Sequence, residues 1–273
     1  GYNTVKNEKP WVTVSAAPLG KYRDTRRYSS RGWNAWGTVY QEAQEWTRQG
    51  IVDALFPMLY YKDEHFFPFV DDWSAHANGR HFAAGLGIYQ LDPHEQNWPL
   101  TVIRQQICYT RCFDAPISDD ASYGTGACGY ALFRAGFITD NVKGVKDELR
   151  RLNITPALIP ALTWQSSRNP ASPSAVSVTY YTDAVQISWA DAKQDVRYNL
   201  YRSVNGPIEV DNPAHLCRTY IEGTSVSVPR TSRCTDTHYA LTSIDRYGNE
   251  SRPILWTDKA IRVPHITTSI EEF

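Results

Sequence analysis

Two adjacent carboxylates, Asp63 and Glu64, follow an apolar run that ends in Tyr60 and Tyr61. Carboxyl groups held near a reacting bond can trade a proton with it, one as acid and the other as base or nucleophile. Polar residues also trail the other apolar runs. Lys21, Arg23 and Asp24 come after residues 11–17, Gln90, Asp92 and His94 close residues 82–90, Arg134 follows 127–133, and Trp164 ends a later run. Asp63 and Glu64 are therefore the candidate catalytic pair, and Tyr60, Tyr61, Gln90, Arg134, Trp164 and Arg23 the candidate substrate-binding residues. Gln90 and Arg134 could hydrogen-bond hydroxyl groups. Plainer readings stand beside these: a solvated loop pair for Asp63 and Glu64, a turn for Asp92 and His94 around Pro93, and a solvated helix face for Asp71 and Asp72. Neighbours along a strand point to opposite faces, so one of Tyr60 and Tyr61 is expected inside.

Other chemistries have less to stand on. The five cysteines, Cys108, Cys112, Cys128, Cys217 and Cys234, show no metal-ligand spacing. Cys108 and Cys112 lie four apart on an expected helix, which is poor disulfide geometry, and no His sits in a partner motif for a nucleophilic thiol. Cys217 and Cys234 could pair if the protein is exported. Neither a metal nor an organic cofactor is expected. Lys and Arg total 28 against 29 for Asp and Glu, so the basic surplus of a nucleic-acid binder is missing. No run approaches the 18 or so apolar residues of a membrane span. The chain opens Gly1-Tyr2 and its single Met is the internal Met58. That is the expected look of a processed or cloned start, from which any export signal has gone; whether residues preceded Tyr2 stays open.

Nine Trp, 17 Tyr and nine Phe give two readings, a core built on large rings or a cleft in which sugar C–H faces stack on exposed ones. At 273 residues, 42% of them apolar and 21% charged, the chain can fold as one large domain or two ordinary ones.

The elements that would position the candidates follow from periodicity. Apolar strand-like runs at 11–17, 53–61, 82–90 and 127–133 alternate with helical patterns. Asn34 opens a predicted helix whose inner face is Trp36, Val39, Tyr40, Ala43 and Trp46, with Gly50 at its end. A short helix is expected over 69–77, another after Pro99 carrying Ile103, Ile107 and Cys108, and a last one with Val142, Val145, Leu149 and Leu152, capped by Asp140 or Asn141. The order βαβαβαβα predicts a parallel sheet. No Gly-x-Gly-x-x-Gly follows the first strand, which leaves a dinucleotide-binding sheet unsupported. Four units are half of an eight-unit barrel. Residues 166–173 read as a polar linker. Beyond them the period changes to two, and short alternating strands predict a β-sandwich.

The C-terminal region, residues 174–265, resembles a fibronectin type III module. Trp189 matches its second-strand core Trp, Tyr239 the Tyr near the start of its sixth strand, and the Asp245–Ser251 stretch the turn into its last strand. The N-terminal region, residues 1–165, resembles the C-terminal half of the glycosyl hydrolase-like family 10 barrel. The matching stretches are WVTVSAAPLGKYR (11–23), AQEWTRQGIVDALFPMLYY (43–61) and FAAGLGIY (82–89). The resemblance implies a partial TIM-type (β/α) barrel followed by a sandwich, acting on or binding a polysaccharide or oligosaccharide outside the cytoplasm. Hydrolysis of a glycosidic bond would then place two carboxyl groups about 5 Å apart for retention or roughly 6.5–9.5 Å apart for inversion. The family's Asp-Asp-Tyr-Phe signature lies upstream of this stretch of barrel and does not occur here, which favours a non-catalytic carbohydrate-binding or scaffold role for this chain taken alone. Four strands would also leave open edges. The expected remedies are a removed half, a homodimer closing four strands on four, or loops covering an open sheet.

Overall fold

A computed structural model of the protein describes residues 1–26, 28–111, 127–192, 194–204, 206–231 and 235–260. The chain forms two compact units, residues 1–154 and 155–273. The boundary falls before residue 165, so Trp164 belongs to the second unit. Cys112 and Cys234, and with Cys234 the pairing with Cys217, lie outside the described residues; among the described residues, no disulfide joins Cys108, Cys128 and Cys217.

In the first unit, α1 (Tyr2–Glu8) precedes β1 (Ser15–Ala16). Two short helices, α2 (Ala35–Thr38) and α3 (Ala43–Arg48), lead to β2 (Ala54–Leu55). α4 (Phe67–Ala75), β3 (His81–Leu86), α5 (Leu100–Arg111), β4 (Gly129–Leu132), α6 (Ala135–Thr139) and α7 (Val145–Leu152) follow. The four strands are parallel and lie in the order β1-β2-β3-β4. An open doubly wound sheet reverses its order at a switch point. Sequential order with right-handed crossovers instead sends every connecting helix to one face. Phe82, Ala84 and Leu86 on that face join Phe66, Phe69, Val70, Trp73, Ile103 and Ile107 in one core. By the alternation of strand residues, the other face carries Ser15, Ala54, His81, Ala83, Gly85, Gly129 and Ala131, all small but His81.

The strands are shorter than their apolar runs. Pro57 and Pro18 interrupt them, and beyond β1 and β2 only isolated bridges continue the ladder, Leu19 to Met58 and Met58 to Gly85. Here the backbones come so close that a Cβ on Gly20 would sit 2.3 Å from the Met58 carbonyl oxygen, and one on Gly85 would sit 2.6 Å from that of Pro57. At the opposite end, the buried carboxylate of Asp53 accepts from the Tyr2 hydroxyl (2.7 Å) and the Val14 amide (2.7 Å) and pairs with Lys6 Nζ at 2.7 Å. Helix α1 is thereby fastened to the start of β2.

The predicted long helix from Asn34 to Trp46 is two helices. Tyr40 between them takes a left-handed φ of 55°. Trp36 and Tyr40, expected inside, face solvent, whereas Ala35 and Ala43 are buried. The 3.6-residue period was present, but its phase breaks at Tyr40. Asp71 and Asp72 are likewise not a solvated face. Asp71 accepts from the Tyr109 hydroxyl at 2.6 Å, and Asp72 from Gln44 Nε2 at 2.8 Å. The last helix starts at Val145, with Gly144 as its N-cap in place of Asp140 or Asn141; Asn141 Oδ1 accepts from the Lys146 amide instead (2.9 Å).

Glu148 on α7 accepts from the Arg151 and Arg104 guanidinium groups, both at 2.6 Å, and these hold its carboxyl down to about 2. A carboxyl whose folded pKa is depressed stabilises the fold above its unfolded value, and that contribution goes as pH falls toward the folded one. Glu148→Gln is therefore expected to lower the melting temperature at pH 7 but to weaken its fall between about pH 4.3 and pH 2. Thermal melts across that window would check it, and parallel curves for the two proteins would refute it.

The second unit has two antiparallel sheets. β5 (Ser174–Tyr180), β6 (Ala184–Ala190) and β9 (Ser225–Pro229) form one, in the order β5-β6-β9. β7 (Val196–Val204), β8 (Leu216–Ile221), β10 (Thr237–Asp245) and β11 (Ile254–Asp258) form the other, in the order β11-β10-β7-β8. Val185, Ile187 and Trp189 of β6 pack with Tyr198, Leu200, Tyr239 and Leu241 of β7 and β10. Trp189 is thus on the second strand of the sandwich and Tyr239 on the sixth, as expected. Residues just before the linker join this unit because Leu158 packs with Tyr201, Leu216 and Ala240, and the Leu162 amide donates to the Tyr247 carbonyl at 2.7 Å. Glu250 accepts from Asn199 Nδ2 (2.8 Å), the Tyr201 hydroxyl (2.7 Å) and the Thr242 hydroxyl.

Candidate functional site

The carboxyl-terminal ends of parallel strands are where side chains from several strands converge. In the first unit, Tyr60 beyond β2, Tyr89 beyond β3 and Phe133 beyond β4 come together there. Tyr60 stacks on Phe133 with ring centres 5.5 Å apart, and Tyr89 meets both edge-on, at 5.7 Å from Tyr60 and 5.8 Å from Phe133. The Tyr89 amide donates to the Phe133 carbonyl at 3.2 Å, which ties the turn after β3 to the end of β4. Gly87 makes the cluster possible: a Cβ there would lie 3.0 Å from Tyr60 Cβ and 3.2 Å from the Tyr89 ring.

Gln90 sits beside these rings. Its Nε2 donates to the Tyr89 hydroxyl at 2.9 Å. Its Oε1 is buried and has no hydrogen-bond partner. Burial, with Tyr89 next to it, pushes the Tyr60 hydroxyl above its ordinary pKa, so it stays a neutral donor at physiological pH. Phe133 is exposed, and Arg134 after it is exposed with its guanidinium over the Phe137 ring at 5.5 Å. Apolar ring faces, a hydroxyl donor and a cation together suit an uncharged polyhydroxylated ligand.

Tyr61 points the other way. It packs against Phe69, its carbonyl accepts from Gln106 Nε2 at 2.6 Å, and burial raises its hydroxyl against a hydrogen bond with the Lys21 backbone. Arg23 is exposed and lies over the Tyr22 ring at 5.8 Å. The buried Lys21 takes the polar role after β1. Its Nζ reaches the Ser30 carbonyl and an Asp24 oxygen, each at 2.5 Å, and so holds the Asp24 carboxyl below its ordinary range. Asp92 accepts from the His94 amide at 2.8 Å, the expected turn.

Asp63 and Glu64 occupy a single turn of 3-10 helix, 56% and 72% exposed. Each faces a neighbour in sequence: Asp63 has Lys62 at 3.9 Å and Glu64 has His65 at 3.6 Å. They remain the carboxylates nearest in sequence to Tyr60. Among the described residues, no group of three or more His, Cys, Asp or Glu could hold a metal ion, and no helix is long and apolar enough to cross a membrane. Tyr89 and Phe133 escaped the sequence reading because they look like strand interior. Their signal was an aromatic residue followed at once by a polar one where an apolar run stops, as in Tyr89-Gln90 and Phe133-Arg134.

No protein-family model matches the chain, and no curated protein matches it. Solved structures similar to part of it are fibronectin type III domains and a receptor complex. A fibronectin type III-like protein from Clostridium thermocellum is 19% identical with a TM-score of 0.28, covering 36% of this chain and 100% of that one. A fibronectin type III domain of human collagen XX is 18% identical with a TM-score of 0.28, covering 37% of this chain and 100% of that one. A cytokine receptor complex is 13% identical with a TM-score of 0.28, covering 35% of this chain and 54% of that one.

Proposed function

We propose that the first unit is a glycoside hydrolase-like domain that binds a polysaccharide at the ends of its parallel strands, outside the cytoplasm. In this reading the sheet is four staves of a (β/α) barrel, and the second unit is a fibronectin type III-like spacer or contact module. The observation that carries the reading is the cluster of Tyr60, Tyr89 and Phe133 rings at the strand ends, with Phe133 and the following Arg134 exposed beside Gln90. A sugar ring has C–H faces for the rings to stack on and hydroxyls for polar side chains at their rim. Arg134 and the Tyr60 hydroxyl supply further hydrogen bonds. Sequential strand order with all crossover helices on one face supports the barrel reading over a doubly wound sheet.

Binding is favoured over turnover. Hydrolysis needs two carboxyl groups on either side of the scissile bond, whereas Asp63 and Glu64 are consecutive on one exposed turn. Retention of the protein on insoluble cellulose, xylan, mannan and chitin tests the binding. Expected is retention on one of them, with about a tenfold loss of affinity in Phe133→Ala, which removes an exposed stacking face. Retention on none would refute the proposal. Release of sugar that stops in Glu64→Gln or Asp63→Asn would restore the hydrolase reading.

A further inference from the structure

We propose that the turn carrying Trp33 and Trp36 is a second sugar-stacking subsite, so that the first unit grips an extended stretch of glycan rather than a single sugar. The inference rests on the glycan reading of the strand ends above.

Trp33 is 71% exposed, Trp36 50% and Tyr40 83%. Three large rings standing in water within eight residues cost solvation free energy that a folded chain ordinarily recovers by burying them. A mobile loop could fold them inward, but this backbone is fixed. The Asn34 side chain accepts from the Gly37 amide at 2.6 Å, and the Asn34 amide donates to the Thr38 hydroxyl at 3.2 Å. The Ala35 and Trp36 amides donate to the Lys21 and Tyr22 carbonyls at 2.8 and 3.1 Å. Gln41 closes the segment: its amide donates to the Ala35 carbonyl at 2.7 Å and its side chain accepts from the Leu19 amide at 3.0 Å. Ala35, fully buried, pins the turn from below. The indoles are therefore presented in place, with the conformational cost of ordering them met before a ligand arrives.

Their position selects the occupant. Lys21 and Tyr22 follow the carboxyl-terminal end of β1, so the turn belongs to the same end of the sheet as Tyr60, Gln90 and Phe133. β1 and β4 are the two edges of the sheet, three strand spacings apart, or about 14 Å. A ligand that reaches from the Phe133–Gln90 site to the Trp33–Trp36 turn must be a chain with repeated apolar faces. A linear polysaccharide of pyranose rings has that form: each ring presents a C–H face to an aromatic plane, and its hydroxyls stay in water.

Isothermal titration with oligosaccharides of two to six sugars, cut from whichever of cellulose, xylan, mannan or chitin retains the protein, tests this. Expected is an affinity that climbs with length in the native protein. In Trp33→Ala/Trp36→Ala the disaccharide should bind as before and the hexasaccharide about tenfold more weakly. Both indoles are exposed, so the unchanged disaccharide affinity also reports that the variant is folded. Length-independent binding by the native protein, or equal hexasaccharide affinity in the variant, would overturn the second subsite and leave the first. Retention on none of the four polysaccharides would overturn both.

Discussion

Asp53→Ala should unfold the first unit at a temperature roughly 6–20 °C below that of the native protein, from a loss of about 3–5 kcal/mol. The carboxylate lies fully buried where β2 begins, and its backbone links β1 to β3: its amide donates to the Val14 carbonyl at 2.7 Å and its carbonyl accepts from the His81 amide at 3.0 Å. Removing the side chain leaves the Lys6 ammonium only the Pro10 and Val12 carbonyls, at 3.2 and 2.6 Å, with no counter-charge, and takes the carboxylate acceptor from the Tyr2 hydroxyl and the Val14 amide. The loss comes from the orphaned charge more than from the pair itself, because a buried ion pair repays little beyond its own desolvation. Lys6→Met added to Asp53→Ala is accordingly expected to recover part of the stability. Urea titration followed by tryptophan fluorescence would check both variants. If the single variant lost less than about 1 kcal/mol, α1 would have no part in holding the sheet.

Trp73→Ala is the second change expected to be severe, at about 3–5 kcal/mol for truncating a buried aromatic residue. Trp73 is buried on α4, meets Tyr22 edge-on at 5.7 Å, and its indole N–H donates to the Gly20 carbonyl at 2.6 Å. Gly20, beyond the end of β1, lies against the Met58 backbone, directly before the Lys21 and Tyr22 carbonyls that anchor the exposed indole turn. Trp73→Phe keeps most of the packing and orphans only that carbonyl, so a smaller loss of about 1–3 kcal/mol is expected. Thermal unfolding of the two variants separates packing from hydrogen bonding. Equal losses would mean that the N–H contact carries the whole effect.

The parts of the fold legible in the sequence were those with a local cause. Apolar runs and helical periods located the parallel strands, and alternation around Trp189 and Tyr201 located the sandwich. The Asp245–Ser251 turn was visible as a motif, and Asp245 Oδ1 accepts from the Tyr247 and Asn249 amides there, at 2.9 and 2.8 Å. The illegible parts depend on distant partners. Nothing near Tyr40 announces that it turns left-handed and sends Trp36 outward. Asp71 and Asp72 look like surface residues until Tyr109, 38 positions on, and Gln44, 28 positions back, are placed against them. The candidate site was half legible: Tyr60, Gln90 and Arg134 were found by position after a strand, while Tyr89 and Phe133 were hidden among strand residues. Arg23 and Tyr61 satisfied the same positional rule without joining the cluster, and Trp164 belongs to the second unit.

Strand order also sets how early each sheet can be completed while the chain leaves the ribosome. In the first unit every strand pairs with the one made just before it, so each newly emerged β-α segment finds its template already present, and loop closure stays short at every step. The sandwich cannot proceed this way. β6 waits for β9, and β7 waits for β10, some 33 residues after it ends. With domains folding as they are synthesised, the first unit can accrete one strand at a time, while in the second β6 and β7 pair early only with β5 and β8 and each keeps one edge open until β9 and β10 emerge.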